Sequence, residues 1–168
     1  MNKERYRIAQ LADLPAIVEI YNSIVSSRMV TADLEAVSVK SRLAWFQAHS
    51  SSSRPLWVIE NSEGKIIAWL SFQSFYGRAA YDGTVEVSIY IAADQRGKGL
   101  GRKILEFCVE QAPKFHIHTL LGFIFAHNAP SMYLFERFGF ERWGHLPQVA
   151  ELDGNMVDLI ILGYRITN

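Results

Sequence analysis

Hydrophobic and polar positions follow two different periods along this chain, and the switches between them mark its elements. Arg5 to Ala9 reads as a short first strand, and Asp13-Leu14-Pro15 opens a helix in which Ile17, Ile20, Tyr21, Ile24 and Val25 recur at helical spacing. Ser26 to Ala36 shows neither period. A second helix is predicted from Val39 to His49, with Leu43 and either Phe46 or Trp45 turned inward, and the run Ser50-Ser51-Ser52-Ser53 ends it as a loop. Strands follow at Leu56 to Glu60 and Ile66 to Phe75, joined by an Asn61-Ser62-Glu63-Gly64 turn, and a fourth at Thr84 to Ile91. An amphipathic helix from Arg102 to Glu110, broken near Pro113, leads to a strand at Leu120 to Ala126 and a helix rooted at Asn128. Two closing strands, Glu141 to Pro147 and Met156 to Arg165, flank an Asp153-Gly154 turn. This order predicts an α/β or α+β fold with a mixed sheet. No repeat or linker divides the chain, so residues 1–168 are expected to form one domain, large enough to bury a core without metal or disulfide staples.

Between the fourth strand and the helix that follows lies Gln95-Arg96-Gly97-Lys98-Gly99-Leu100-Gly101. Three alternating glycines let the backbone fold tightly and expose its N–H groups at a helix N-terminus, where the helix dipole favours an anion. The spacing fits neither the nucleotide-hydrolase loop, Gly-x-x-x-x-Gly-Lys-Ser/Thr, nor the dinucleotide fingerprint, Gly-x-Gly-x-x-Gly with an acid about 20 residues on. Taken alone, the loop is as compatible with a plain glycine turn as with a phosphate cradle. A second segment decides between them: Asn128-Ala129-Pro130-Ser131-Met132-Tyr133-Leu134-Phe135-Glu136-Arg137-Phe138-Gly139-Phe140. Asn128 is a good N-cap, Pro130 is tolerated in the first turn, and Gly139 suits the position past a helix end.

Arg96 to Gly101 resembles the Gln/Arg-x-x-Gly-x-Gly/Ala pyrophosphate loop of the GNAT acetyltransferase superfamily, and the Asn128 segment resembles the Asn-rooted helix of the same superfamily, in the same order and spacing. The resemblance runs from end to end. It implies a GNAT fold, with a mixed, mostly antiparallel sheet of about seven strands and about four flanking helices, and acetyl-CoA as co-substrate. Within the superfamily, Gly77 to Ile91 is similar to the phosphinothricin acetyltransferase group, most specifically in its Arg-x-x-Tyr-Asp-x-Thr-x-Glu portion; Tyr21-Asn22, Gly144 and Asp158 look like that group too. The implied reaction is acetylation of the α-amino group of a small amino acid or analogue such as phosphinothricin or methionine sulfoximine. The implied assembly is a homodimer.

Composition narrows the partners. Seventeen basic and seventeen acidic residues cancel, so no global field favours nucleic acid or an anionic membrane. Phosphate affinity must be local, and Arg96, Lys98, Arg102 and Lys103 crowd the glycine loop with Asp94 as the nearby acid. The single cysteine, Cys108, sits among Leu105, Phe107 and Val109 and reads as core. The start is charged and no apolar run approaches the ~18 residues that span a bilayer, so the expectation is a soluble cytoplasmic protein. His116 and His118 share one face of an extended segment, but a zinc site needs a third ligand and none lies nearby, so no metal is expected. His127 and His145 read as rim or core histidines, and no Gly-x-Ser-x-Gly elbow marks a hydrolase.

Acetyl transfer to an amine needs a neutral nitrogen and a held thioester. Glu86, Ser88 and Tyr90 share one strand face opposite Val85, Val87, Ile89 and Ile91, and a carboxylate in an apolar strand is costly without a partner or a task. Glu86 is the candidate base, matching the glutamate implicated as base in the phosphinothricin group; its bland alternative is an ion pair at a sheet edge. By resemblance, the backbone of Ile89, Tyr90 and Ile91 holds the pantetheine arm together with Asn128, and Gly97, Lys98, Gly99, Leu100, Gly101 and Arg102 take the pyrophosphate. Arg78 and Tyr81 match positions that contact the substrate's acid group, a task suited to a guanidinium fork; without the resemblance they read equally as a solvated arginine and a core tyrosine. Arg28 is a weaker candidate for the same anion. Where many relatives carry a tyrosine that protonates the departing thiolate, this chain has Phe135, which cannot donate, and Tyr133 lies about 200° round the helix. A protein N-terminus or polyamine acetyltransferase, or an acetyl-CoA sensor without turnover, are the other readings; Arg78 argues against a polyamine and Glu86 against a sensor.

Overall fold

The computed structural model describes residues 4–167. Seven strands form one sheet in the order β1-β2-β3-β4-β5-β7-β6, comprising β1 (Arg5–Ile8), β2 (Leu56–Glu60), β3 (Ile66–Ser74), β4 (Thr84–Ile91), β5 (Thr119–Phe125), β6 (Glu141–Leu152) and β7 (Asn155–Arg165). Every neighbouring pair is antiparallel except β4 and β5. Four α-helices flank it: α1 (Leu14–Val25), α2 (Val39–Gln47), α3 (Leu100–Gln111) and α4 (Ala129–Phe138). The mixed, mostly antiparallel sheet of seven strands with four helices is the fold expected from the sequence.

The sheet buries both faces, each with its own core. On one, Val85, Val87 and Leu120 pack beneath Leu100, Ile104, Leu105 and Cys108 of α3 and Met132 and Phe135 of α4. Cys108 is fully buried, and burial raises its thiol far above the range in which a nucleophile works. On the other, Ile17, Ile20, Tyr21 and Val25 of α1 cover Leu56, Val58 and Trp69. β2 is buried at all five positions, which explains its unbroken apolar run.

Three elements depart from expectation by two residues or more at an end. α3 begins at Leu100, two residues early, because Gly101 lies within its first turn: a Cβ there would come 2.8 Å from Leu134 Cδ2 on α4. β6 runs on past Pro147 to Leu152, its register shifting between Leu146 and Ala150, where Asp158 Oδ1 accepts the Gln148 N–H at 2.9 Å and pins the bulge. α2 ends at Gln47 and buries no residue; Leu43 faces outward at 36% exposure, while Trp45 packs edge-on against Trp69.

A charged network fixes the edge strand to α1. Arg7 donates from Nε to Glu60 Oε1 at 2.7 Å and from both terminal nitrogens to Asp13 at 2.7 and 2.9 Å. Asp13 and Glu60 are both buried, and the guanidinium holds the Asp13 carboxyl below its usual range. Arg7→Met would leave Asp13 without a cation and Glu60 with only the more distant Arg5 at 3.9 Å, so chemical denaturation at pH 7 is expected to show a loss of up to about 3 kcal/mol. Asp13 contributes stability that is present above its unfolded pKa and lost as pH falls through its lowered folded pKa. The gap between wild type and Arg7→Met should therefore narrow as pH drops below about 4.

Candidate active site

The site is built where two strands part. β4 pairs with β3 as far as Ile91, but with β5 only from Thr84 to Glu86. Beyond Glu86 the backbone groups of β4 that face β5 have no strand partner. Phe135 of α4 stands in the gap, its ring against Gly122 of β5, where a Cβ would approach Phe135 Cε1 to 3.0 Å. A cleft of 490 Å3 runs from this gap to the glycine loop, lined by Ile89, Tyr90, Ile91, Gly97, Gly99, Leu100, Gly101, Arg102, Asn128 and Phe135.

The loop end of this cleft is made of backbone. Gly97 and Gly99 sit at φ +71° and +81°, where side chains are disfavoured. Gly99 caps α3 without any side-chain hydrogen bond, which leaves the first-turn N–H groups free to meet an anion. The nearby cations are mostly engaged elsewhere. Arg96 donates to the Ile91 carbonyl at 2.9 Å, Arg102 pairs with Glu106 at 3.0 Å and Lys103 with Glu4 at 2.7 Å. Lys98 does not line the cleft. Asn128 is buried and caps α4, its Oδ1 accepting the Ser131 N–H at 3.2 Å. Free amides at a helix start, beside an unpaired strand edge, fit a ligand that carries phosphates on an amide-bearing arm.

Glu86 lies at the other end of the gap, where a cleft of 440 Å3 meets a second cavity of 190 Å3; Ser88 and Tyr90 from the same strand face also line both. The β4 alternation expected from the sequence is therefore present. Among the described residues Glu86 has no hydrogen-bond or ion-pair partner, and burial raises its pKa. A half-buried acid shifted by desolvation alone, in a cleft, is a candidate functional group. Tyr90 stacks on Trp69 with centroids 4.5 Å apart.

Residues 26–37 close over these clefts. Val30, Thr31 and Ala32 line the 440 Å3 cleft, and the segment is tied at several points. Asn22 brackets Val37, donating to its carbonyl and accepting its N–H, both at 2.8 Å. The Tyr21 hydroxyl bonds Thr31 and Asp33. Arg28 pairs with Asp153 at 2.6 Å across the molecule, and its carbonyl meets His127 Nε2 at 2.7 Å. Arg28 thus anchors the segment, and its expected role as an anion receptor gives way to the Asp153 pair.

Arg78 and Tyr81 do not line these three clefts. Arg78 opens a 3-10 turn, Ala79–Tyr81, and Tyr81, 43% exposed, packs on Phe75 and Tyr76. The turn borders the Glu86 end through Phe75, which stacks on Phe123, a wall of the 440 Å3 cleft. The arginine that lines a cavity together with Glu86 is Arg42 of α2, which sequence reasoning missed. Its one signal is its place three residues before Trp45, on the side of α2 that meets Trp69. On α4, Phe135 is buried and Tyr133 is 66% exposed, facing away as its angular offset requires. No group of three or more His, Cys, Asp or Glu that could hold a metal occurs among the described residues, and none of their helices is long and apolar enough to cross a membrane.

Comparison with known proteins agrees with this geometry. The model of the acetyltransferase (GNAT) family matches residues 16–140. A Bacillus subtilis protein named "Putative phosphinothricin acetyltransferase YwnH" is 50% identical over 96% of this chain and 98% of its own length. The L-methionine sulfoximine/L-methionine sulfone acetyltransferase of Pseudomonas paraeruginosa is 35% identical over 93% of this chain and 91% of its own. Among solved structures, a GNAT superfamily phosphinothricin acetyltransferase from Sinorhizobium meliloti, in complex with AcCoA, superposes with a TM-score of 0.89 at 26% identity, covering 97% of this chain and 88% of that one.

The burial of Glu86 has a consequence for stability. Its folded pKa lies above the unfolded value, so its favourable contribution is complete below the unfolded pKa and is lost as pH rises through the folded pKa. Glu86→Gln, which cannot ionise, should melt with wild type at about pH 4 and above it at about pH 8. Thermal melts across that range check the sign; a variant melting lower at pH 8 would mean that the carboxylate has a stabilising partner.

Proposed function

Because the chain belongs to the acetyltransferase (GNAT) family, whose members are acyltransferases drawing on acetyl-CoA, we propose that it acetylates the α-amino group of a small amino acid or analogue of the phosphinothricin and methionine sulfoximine type. The single observation that carries this reading is Glu86, an unpartnered and half-buried carboxyl at the point where β4 and β5 part. Support for the substrate class comes from the relatives' names and from their coverage of almost the whole chain.

Acetyl-CoA supplies an acetyl group activated as a thioester. The amides from Gly97 to Arg102 would hold its pyrophosphate, with Lys98 at the rim, and the free backbone of Ile89, Tyr90 and Ile91 would hold the pantetheine arm beside Asn128. Glu86 serves the amine. An α-ammonium with a pKa near ~8 is only about a tenth neutral at pH 7, so a base that removes its proton raises the reactive fraction. Burial brings the Glu86 pKa closer to the working pH, which improves it as a base. Transfer is direct, from thioester to amine, with Glu86 taking the proton itself or through a water. α4 offers no tyrosine to the cleft, so the departing thiolate takes its proton from solvent. Arg78 and Tyr81, at the border of the Glu86 end, would meet the acid group of the substrate.

Glu86→Gln is expected to lower turnover about 100-fold to 10,000-fold with little change in acetyl-CoA affinity. In wild type, kcat/KM should rise through a pKa above the ordinary carboxylate range, and that limb should vanish in the variant. Wild-type turnover at pH 7 would remove Glu86 from this role. Gly99→Val, which forces a β-branched residue into left-handed backbone on the cradle, should abolish acetyl-CoA binding; calorimetry on the folded variant showing unchanged affinity would rule the cradle out.

A further inference from the structure

The smaller cavity, between the sheet and helices α1 and α2, is not explained by acetyl-CoA. Its volume is 190 Å3, on the order of six waters at ~30 Å3 each. Apolar walls come from Val18, Trp45 and Trp69. Polar groups of Glu86, Ser88, Gln73 and Arg42 converge on it. Gln73 lies directly opposite Glu86 in the β3–β4 register, and Ser88 lies opposite Ser71, whose buried hydroxyl has no partner. Among the described residues, the Gln73 amide, the Ser88 hydroxyl and the Glu86 carboxylate make no hydrogen bond. These side chains are partly exposed, so their free donors and acceptors are open to water or to a ligand that enters the cavity.

Arg42 is held as a receptor would be. One terminal nitrogen donates to Asp33 at 2.6 Å, and the guanidinium lies over the Tyr21 ring, 4.6 Å from its centroid, and near Trp45 at 5.9 Å. Its other nitrogens have no partner among the described residues, and 25% of the side chain is exposed. The guanidinium is therefore fixed in orientation with donors to spare. The cavity presents an anion, Glu86, and a cation, Arg42, with an amide and a hydroxyl between them. A zwitterionic amino-acid head complements that arrangement, ammonium toward Glu86 and carboxylate toward Arg42, leaving its side chain to occupy the wider cleft.

We propose that Arg42 is a specificity-determining residue that binds the α-carboxylate of the acceptor amino acid, with Gln73 and Ser88 completing the cavity that holds its zwitterionic head. This rests on the acetyltransferase reading and names the part of the substrate which that reading leaves open. Arg78, outside the cavity, is then left to the polar end of the substrate side chain, which is an acid only in phosphinothricin.

The test compares methionine sulfoximine with its carboxamide, which keeps the amine and side chain but masks the carboxylate, in wild type, Arg42→Met and Asp33→Asn. Wild type should prefer the acid in kcat/KM, and Arg42→Met should reduce that preference by at least about tenfold, since charged hydrogen bonds of this kind are the ones removed. Asp33→Asn, which loosens the guanidinium but leaves its charge, should reduce it less. An Arg42→Met protein that loses activity equally on both compounds, with the ratio unchanged, would show a purely structural arginine and overturn the proposal. If Arg42→Met does not fold, Arg42→Lys decides: the fork is lost while the charge remains, so the ratio should fall part of the way, and an unchanged ratio overturns it. A wild type that acetylates acid and carboxamide equally also overturns it while leaving the acetyltransferase reading intact. A wild type that acetylates neither would count against the substrate class itself.

Discussion

The end of the β4–β5 ladder at Glu86 is the constraint on which the rest of the site depends. A sheet interior normally leaves no main-chain group free, because an unpaired buried N–H or C=O costs about as much as a lost hydrogen bond. Among the described residues the only parallel pair in the sheet is also the one that parts, and Phe135 of α4 packs over Gly122 of β5 beside the opening. Gly122 permits that close packing by having no side chain. The freed edge of β4 then has a use that a continuous sheet would deny it, as one wall of a cleft that ends on the amides of a glycine loop. Glu86 marks the last paired position, and its side chain emerges where that cleft meets the helix-covered face.

Closure of the opposite side has a different physical origin. Residues 26–37 are held by polar ties: Asn22 to Val37, Tyr21 to Thr31 and Asp33, Arg42 to Asp33, and Arg28 to Asp153. The Arg28 to Asp153 pair is exposed and by itself contributes little to stability. Its effect is geometric, fixing the segment above the 440 Å3 cleft. Binding surfaces carried on such segments, and held by a rigid sheet beneath, follow the usual division between scaffold and site.

Much of this was legible in the sequence because it depends on local rules. Period-2 alternation placed Glu86, Ser88 and Tyr90 on one face, the glycine run marked a strand-to-helix loop, and Asn128 and Gly139 bounded α4 by capping chemistry. The features that escaped depend on partners distant in the chain. Arg28 meets a carboxylate 125 residues away. β6 continues beyond Pro147 because Asp158, on the neighbouring strand, satisfies the bulge. Arg42 reads as a polar residue on a helix of weak amphipathic character, and only the packing of Trp45 on Trp69 turns it toward the cavity. Arg78 and Tyr81 depend on a motif match for their place beside the substrate; in the fold, Tyr81 packs on Phe75, which stacks on Phe123 of the cleft wall.

Amide hydrogen exchange with and without acetyl-CoA tests most directly whether the parted strands form the cofactor site. Ligand seated along the free edge of β4 and on the glycine loop should slow exchange in Val87–Ile91 and Gly97–Arg102, leaving the paired stretch Thr84–Glu86 and strand β2 unchanged. Protection confined to other segments, or none at saturating acetyl-CoA, would contradict the cleft assignment and with it the role proposed for Glu86.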